Sequence, residues 1–535
     1  MLSLTHLPPF QNEPATDFND PAQRRAMEQA LEKVKSQFGQ HYPLIIGGQA
    51  IMLDDVVESI NPAFPDQVVG RFSKATVEHA NQAIEAAATA FETWQYTPAE
   101  ERAQYLFDAA KLLRARKPEF NAWMVYEVGK SWAEADADTS ETLDFLEYYG
   151  RQMLHLAQPQ DLVPYQDEET ELRYIPLGVG VIIPPWNFPG AIMAGMSSAA
   201  IVSGNSIVLK PASTSPAIAY QFYKIMEEVG LPPGVFNFIV GPGGKIGDAL
   251  IDHPKTRFIG FTGSMEVGLR INERAAKVHP GQIWIKRTIL EMGGKDAVVV
   301  DETADLDAAA KGIVVSAFGF QGQKCSAGSR AIIHEKVYDQ VLPKILSEVD
   351  KLKVGDPSQP DVYMGPVVDQ NAYNKIREYI EIGKGEGKLV YGGESHGPGY
   401  FIEPTIFADV APDARIAQEE IFGPVLAVIK GRDWDDLMGI ANGTVYGLTG
   451  AVYTQNEDHI RDAQARYHVG NLYFNRKCTG AMVGVHPFGG FNMSGTDSKA
   501  GGPDYLLLFT QAKSIARKPV HAPAPQQEAV GQGGR

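Results

Sequence analysis

The sequence predicts an α/β protein: a doubly wound parallel sheet, a second α/β domain beside it, and a small β element that joins neither. Three observations predict this. At 535 residues the chain exceeds what one compact core holds, so two or three domains are expected. From residue 179 apolar β-branched runs alternate with helix-length segments, the pattern of parallel strands joined by right-handed crossovers. The same alternation restarts near Glu291 and runs to about residue 478.

The elements follow in chain order. Residues 77–94 set Ala80, Ala83, Ile84, Ala87 and Phe91 on one helical face, and Glu101 to Leu113 repeats the pattern. Next come "VGVII" as a strand, a helix from Gly190, "SIVLK" as a strand, a helix after Pro216, "VFNFIV" as a strand, a helix after Gly244, and "RFIGF" as a strand. A ligand is expected at the carboxyl ends of these strands. The second unit opens with the strand "AVVV" and the helical "LDAAAKGIVVSAFGF". The segments "EETELRYIPLG" and "YLLLFTQAKSIARK" read as strands left over from both units, of the kind that pair across a subunit interface. The tail from Pro519 is polar and rich in Pro, Gly and Gln, and is expected to be disordered. The division is therefore 1–155 with 177–290, then 291–478, with 156–176 and 503–518 as oligomerisation strands and 519–535 as tail.

Composition excludes several functions. A formal charge of −17 argues against a nucleic-acid surface, which needs many Lys and Arg to neutralise phosphates. Two cysteines, Cys325 and Cys478, allow at most one bridge, which fits a reducing cytoplasm better than secretion. No basic segment followed by an apolar core opens the chain, so no signal peptide is expected. Tyr174 to Leu209 is uncharged and long enough to span a bilayer, but Pro176, Pro184, Pro185 and Pro189 would break a single helix. No membrane partner is expected. The 12 histidines are scattered without metal-ligand spacing, so no metal is expected either.

Two glycine-rich turns are candidates for phosphate contact. "GPGGKIG" misses the G-x-G-x-x-G spacing by one residue. "FTGSMEVG" is more useful, because Gly263 and Ser264 follow an apolar strand and open a helix whose N-terminus suits a diphosphate. An ordinary strand-to-helix turn reads the same way.

The stretches "PPWNFPG", "VLKPAS", "FTGSMEVG", "LEMGGKDAVVV", "QGQKCSAGSR", "QEEIFGPVLAV" and "HPFGGFNMSGT" stand in the order seen in the aldehyde dehydrogenase superfamily, which the chain resembles over nearly its whole length. Cys325 follows Glu291 by 34 residues, the separation the resemblance requires between nucleophile and general base. "PPFQNEPATDF" and "KCTGAMVGVHPFGG" narrow the resemblance to members that oxidise L-glutamate γ-semialdehyde, the open form of 1-pyrroline-5-carboxylate, in proline catabolism. Another semialdehyde, such as succinic semialdehyde, is the alternative.

What the resemblance implies can be matched to chemistry. Cys325 would attack the aldehyde, which calls for a thiol of lowered pKa with partial access, and Lys324 beside it is a source of positive charge unless it is merely solvated. The Asn187 amide and the Cys325 backbone N–H would form the oxyanion hole, although Asn187 read alone is also a turn residue. Glu291 would activate water against the resulting thioester, favouring release of a free acid over transfer to a thiol carrier. The resemblance further assigns NAD as cofactor, held by Lys210, Ser213, Gly263, Ser264, Glu420, Phe422 and Trp186. Ser213 stands where many NAD-specific relatives have Glu, so NADP use stays open. For the substrate it assigns Gly480 and Ala481 as carboxylate anchor with Ser326, Phe188 and Phe488 flanking the aliphatic middle, and Glu141 near the α-ammonium. Cys478 reads as a small core hydrophobe. A cytoplasmic homodimer or higher homo-oligomer is expected.

Overall fold

The computed structural model describes residues 7–165 and 167–519. The strand Val179–Ile183 lies at the centre of a seven-stranded sheet ordered Arg287–Glu291, Thr256–Thr262, Val179–Ile183, Ser206–Leu209, Phe236–Phe238, Leu44–Ile46, Gln49–Ile51. The first five are parallel, and the last two form an antiparallel hairpin at the edge. Chain order reverses between Val179–Ile183 and Thr256–Thr262. That switch point opens a crevice at the carboxyl ends of both strands.

Helices cover the sheet because the crossovers between parallel strands require them. Ala191–Val202 is buried along nearly its whole length, and its sequence is correspondingly apolar on every side. The uncharged stretch 174–209 is thus a strand end, a strand, a proline turn, this helix and another strand. No helix among the described residues is long and apolar enough to cross a membrane. Val77–Trp94 starts where the apolar spacing predicts, with the Thr76 hydroxyl accepting from the His79 N–H. It buries Ala80, Ala83, Ile84, Ala87 and Trp94, whereas Phe91 stays half-buried.

A second seven-stranded sheet is ordered Lys388–Tyr391, Thr405–Ala408, Val425–Gly431, Arg330–His334, Ala297–Val300, Thr449–Tyr453, Asn471–Phe474. Six of its strands are parallel and Lys388–Tyr391 is an antiparallel edge. The strands Glu169–Pro176 and Thr510–Arg517 pair with each other, from Pro176 opposite Thr510 to Glu169 opposite Arg517, as a largely exposed ribbon. One expectation needs correcting. The late strand begins at Thr510 rather than Tyr505, because Tyr505, Leu506 and Phe509 turn into a 3₁₀ helix that buries their side chains. The expected disordered tail lies, from residue 520 on, outside the described residues.

Candidate active site

Loops from the carboxyl ends of the first sheet meet loops that lead into the second. Pro184–Gly190 follows Val179–Ile183, Gly263 and Ser264 follow Thr256–Thr262, and Glu291 ends its own strand. Facing them are the segments entering Ala297–Val300, Arg330–His334 and Val425–Gly431, which carry Gly293 and Gly294, Cys325, and Glu420.

The Cys325 loop is held in an unusual shape. After the helix Leu306–Phe318, Phe320 (φ 48°) and Gln321 (φ 57°) both adopt left-handed backbone. Such conformations cost about 1–3 kcal/mol each for residues other than glycine and persist only where surroundings enforce them. Here the Gln321 side chain donates to the carbonyls of Gly129 (3.0 Å) and Pro366 (2.8 Å), while the Val368 N–H donates to Gln323 Oε1 (3.0 Å). Asn187, buried, donates from Nδ2 to the Gln323 carbonyl at 3.0 Å, which sets its amide two residues from the nucleophile with a second N–H to spare. A side chain on Gly294 would overlap the Cys325 carbonyl oxygen, so only glycine lets the two loops pack together.

Cys325 is half-buried and unpaired. Its thiol is not activated in the way the sequence suggests. Burial, with the carboxylates of Asp296, Glu420 and Glu291 nearby, pushes it well above the ordinary thiol range. Lys324 does not offset this, because its ammonium pairs with Glu134 at 2.7 Å. Ionisation therefore calls for a base. Among the nearby carboxylates, Glu291 Oε1 accepts from Ser498 Oγ at 2.5 Å, whereas the buried Oε2 has no partner among the described residues. Burial pushes this carboxyl up to about 8, against the pull of Ser498, the Gly490 N–H and Lys499. Cys478, fully buried, donates its thiol to the Ser326 carbonyl at 3.4 Å, and burial pushes it up to about 12. That thiol is packing.

The residues expected at the cofactor line the switch-point side. Lys210 is buried at the end of its strand, with Nζ on the Pro211 carbonyl at 3.2 Å, and burial lowers its ammonium to about 8. Ser264 is exposed and caps Met265–Ala275, accepting from the Val267 N–H. Glu420 Oε1 accepts from the Gly294 N–H at 2.9 Å, and a Cβ on Gly293 would sit 2.5 Å from the same carboxylate. Phe422, with φ 61°, meets Trp186 edge to face at 5.5 Å. Ser213 is exposed in the loop after Ser206–Leu209. A buried ammonium with donors to spare, a helix N-terminus and a carboxylate make a set that fits a dinucleotide's ribose hydroxyls and diphosphate.

On the substrate side, Gly480 takes φ +77°, and among the described residues neither its N–H nor that of Ala481 has a partner. Arg476 Nη2 fixes the turn through the carbonyls of Thr479 (2.8 Å) and Gly480 (3.0 Å). The Cys478–Ser326 bond ties this turn to the residue beside the nucleophile. Phe188 and Phe488 are both half-buried. Burial, with Asp138 nearby, pushes Glu141 up to about 8, against Lys130 and Lys324.

Sequence reasoning missed part of this cluster. Lys130 is fully buried, pairs with Asp138 at 3.0 Å and lies 4.0 Å over the Phe188 ring. Glu134, Asp138 and Glu141 are spaced 4 and 3 residues apart on the buried helix Trp132–Leu156. Acids on one face of a buried helix were the available signal. Ser498 had none, since its partner lies 207 residues away.

Comparison with known proteins identifies the family. The profile described as Aldehyde dehydrogenase family matches residues 52–515, and the chain belongs to that family. It is 60% identical over 509 residues to 1-pyrroline-5-carboxylate dehydrogenase of Geobacillus kaustophilus, covering 95% of this chain and 99% of that protein. The crystal structure of 1-pyrroline-5-carboxylate dehydrogenase from Thermus with bound NAD superposes with a TM-score of 0.94 at 51% identity, covering 96% of this chain and all of the other. Proline utilization A from Bdellovibrio bacteriovorus, inactivated by N-propargylglycine, also superposes at 0.94, with 44% identity over 95% of this chain and 53% of that one.

Proposed function

We propose that this enzyme oxidises L-glutamate γ-semialdehyde to L-glutamate with NAD, in the breakdown of proline. Besides the similarity to 1-pyrroline-5-carboxylate dehydrogenases, the observation that carries the substrate assignment is the turn at Gly480 and Ala481. Two N–H groups without a partner among the described residues, tied through Cys478 to the residue after the nucleophile, suit capture of the substrate's carboxylate in a backbone nest. Glu141, on the helix that packs beside Phe188 through Lys130, supplies an acid for the α-ammonium. Succinic semialdehyde has no ammonium and would leave that acid without a counterpart.

The mechanism follows from the chain's own groups. Glu291 Oε2, unpartnered, takes the Cys325 proton. The Cys325 sulfur then adds to the aldehyde carbon, and the oxygen acquires negative charge between Asn187 Nδ2 and the Cys325 N–H, donors typically worth ~3 kcal/mol each to such an oxyanion. Lys210, Gly263, Ser264, Glu420, Phe422 and Trp186 would hold NAD, which when bound would supply the hydride acceptor for that carbon, and Cys325 keeps a thioester. Glu291, once it has released that proton to solvent, deprotonates a water whose oxygen attacks the thioester; the C–S bond breaks, glutamate leaves, and Glu291 returns its proton to the Cys325 sulfur. Phe188 and Phe488 enclose the aliphatic middle, and Ser326 borders the carboxylate. Ser213, exposed and uncharged, leaves NADP tolerated at the ribose.

The assay is NADH formation over a small aldehyde panel. The enzyme should prefer 1-pyrroline-5-carboxylate by kcat/KM, glutamate should inhibit competitively, and Ala481→Leu should raise KM for that substrate while sparing propanal. Preference for succinic semialdehyde without inhibition by glutamate would reassign the pocket and leave the chemistry standing.

The division of labour is part of the same proposal: residues 1–155 and 177–290 bind the cofactor, 291–478 carry the nucleophile, and 156–176 with 503–518 join subunits. The exposed ribbon supports at least a homodimer. Two unpaired cysteines support a cytoplasmic setting.

A further inference from the structure

The segment Leu7 to Phe18 precedes the family match at residue 52 and has neither helix nor strand, yet it is tightly bound to the rest of the protein. Thr16 donates from N and Oγ1 to Asp136 at 2.8 and 2.6 Å, Lys117 Nζ donates to the Pro14 carbonyl at 3.2 Å, and Arg114 pairs with Glu13 at 2.9 Å. Phe10 meets Tyr148 edge to face at 5.2 Å.

One side chain in this arm hydrogen-bonds both the helix Trp132–Leu156 and the segment that follows Ala481. Asn12 Nδ2 donates to Asp144 Oδ2 at 2.8 Å and to the Val483 carbonyl at 3.0 Å, and the Glu13 N–H donates to Asp144 Oδ1 at 2.6 Å. Asp144 lies one helical turn beyond Glu141 on Trp132–Leu156, and Val483 lies two residues beyond Ala481. Beside Val483, Gly484 takes φ +76°, and a Cβ there would approach Tyr148 at 3.0 Å and Phe10 at 3.2 Å. The arm thus presses on the turn where it meets the helix.

We propose that Asn12 is a positioning residue that sets the spacing between the carboxylate-binding turn at Gly480 and Ala481 and the acidic face carrying Glu141, so that the N-terminal arm tunes recognition of a substrate charged at its far end. The inference rests on the proposed role of that turn. A single amide with one N–H to each element holds them in register. Its loss lets the turn move relative to Glu141 without disturbing Cys325, Asn187 or Glu291, to none of which Leu7–Phe18 is hydrogen-bonded. Binding of the amino-acid end therefore weakens while the chemical step persists.

The test compares wild type with Asn12→Ala on 1-pyrroline-5-carboxylate and on propanal, which has no charged end. The expected result is a rise of about tenfold in KM for 1-pyrroline-5-carboxylate and a parallel rise in the inhibition constant of glutamate, the loss expected from one half-buried hydrogen-bonded bridge. Changes in kcat, in kcat/KM for propanal and in NADH affinity should stay within about twofold. Asn12→Ser, which keeps one donor, should fall between, and serves as the reporter should Asn12→Ala fail to fold. Equal losses on both aldehydes would show a merely structural arm and overturn the proposal, as would unchanged KM and glutamate inhibition in a folded variant. Should wild type itself fail to oxidise 1-pyrroline-5-carboxylate, the reading of the turn falls first and this inference with it; an active wild type matched by Asn12→Ala overturns this inference alone.

Discussion

Replacing Ser498 with alanine removes the hydroxyl that donates to Glu291 and should change when that carboxyl can act as a base. In the native site its pKa is raised to about 8, so the base form is scarce at neutral pH and grows as pH rises. Ser498, donating at 2.5 Å, favours the carboxylate, and its removal must move the pKa further up. A hydrogen bond to an ionised group is worth about 1.5–3 kcal/mol, and each pKa unit corresponds to about 1.4 kcal/mol, so the carboxyl should rise by about one to two units. The population of base at pH 7 then drops by about ten- to a hundredfold and recovers above about pH 10. The assay is the steady-state rate after the NADH burst, which isolates thioester hydrolysis, measured across pH in both proteins. A variant that keeps the wild-type limb would refute the assignment of Glu291 to the deacylating step, as would a wild-type rate that does not rise through pH 8.

Further outcomes follow from the same geometry. Cys325→Ala should abolish turnover while NADH still binds and the melting temperature holds, checked by absorbance, fluorescence titration and thermal melting. Ser213→Glu should depress NADP use at least about tenfold more than NAD use, since it sets a carboxylate against the 2′-phosphate; paired kcat/KM measurements decide it. Glu291 is raised from an ordinary carboxyl value to about 8 on folding, so it costs stability progressively as pH rises from about 4.5 to 8. Glu291→Gln should therefore gain thermal stability relative to wild type at pH 9 and not at pH 4, read by melting curves at both.

The strand and helix alternation from Val179 to Thr262 was legible because parallel strands buried on both faces read as short apolar runs, and the crossovers between them read as helices. The resemblance carried by the ordered motifs likewise singles out Cys325, Glu291 and Asn187, which lie on loops that the two sheets bring face to face. The state of those groups was not legible. Lys324 sits next to Cys325 in sequence, but its charge is committed to Glu134, 190 residues away in the chain. The thiol's environment is set by burial and by Asp296, Glu420 and Glu291, which come from two segments far apart in sequence, 291–296 and the one that enters Val425–Gly431. Asn12 and Val483, 471 residues apart, meet only in the folded chain. Local pattern predicts elements, whereas electrostatics and long-range bridges depend on which loops the sheets bring together.

Cys325 as the carrier of a glutamyl thioester is the central claim, and Glu291→Gln allows it to be seen. Mixed with NAD and 1-pyrroline-5-carboxylate and quenched in acid during the NADH burst, the variant should gain the mass of one glutamyl group, and peptide mapping should place it on Cys325. A burst with no adduct on Cys325, or an adduct on the buried Cys478, would contradict the account.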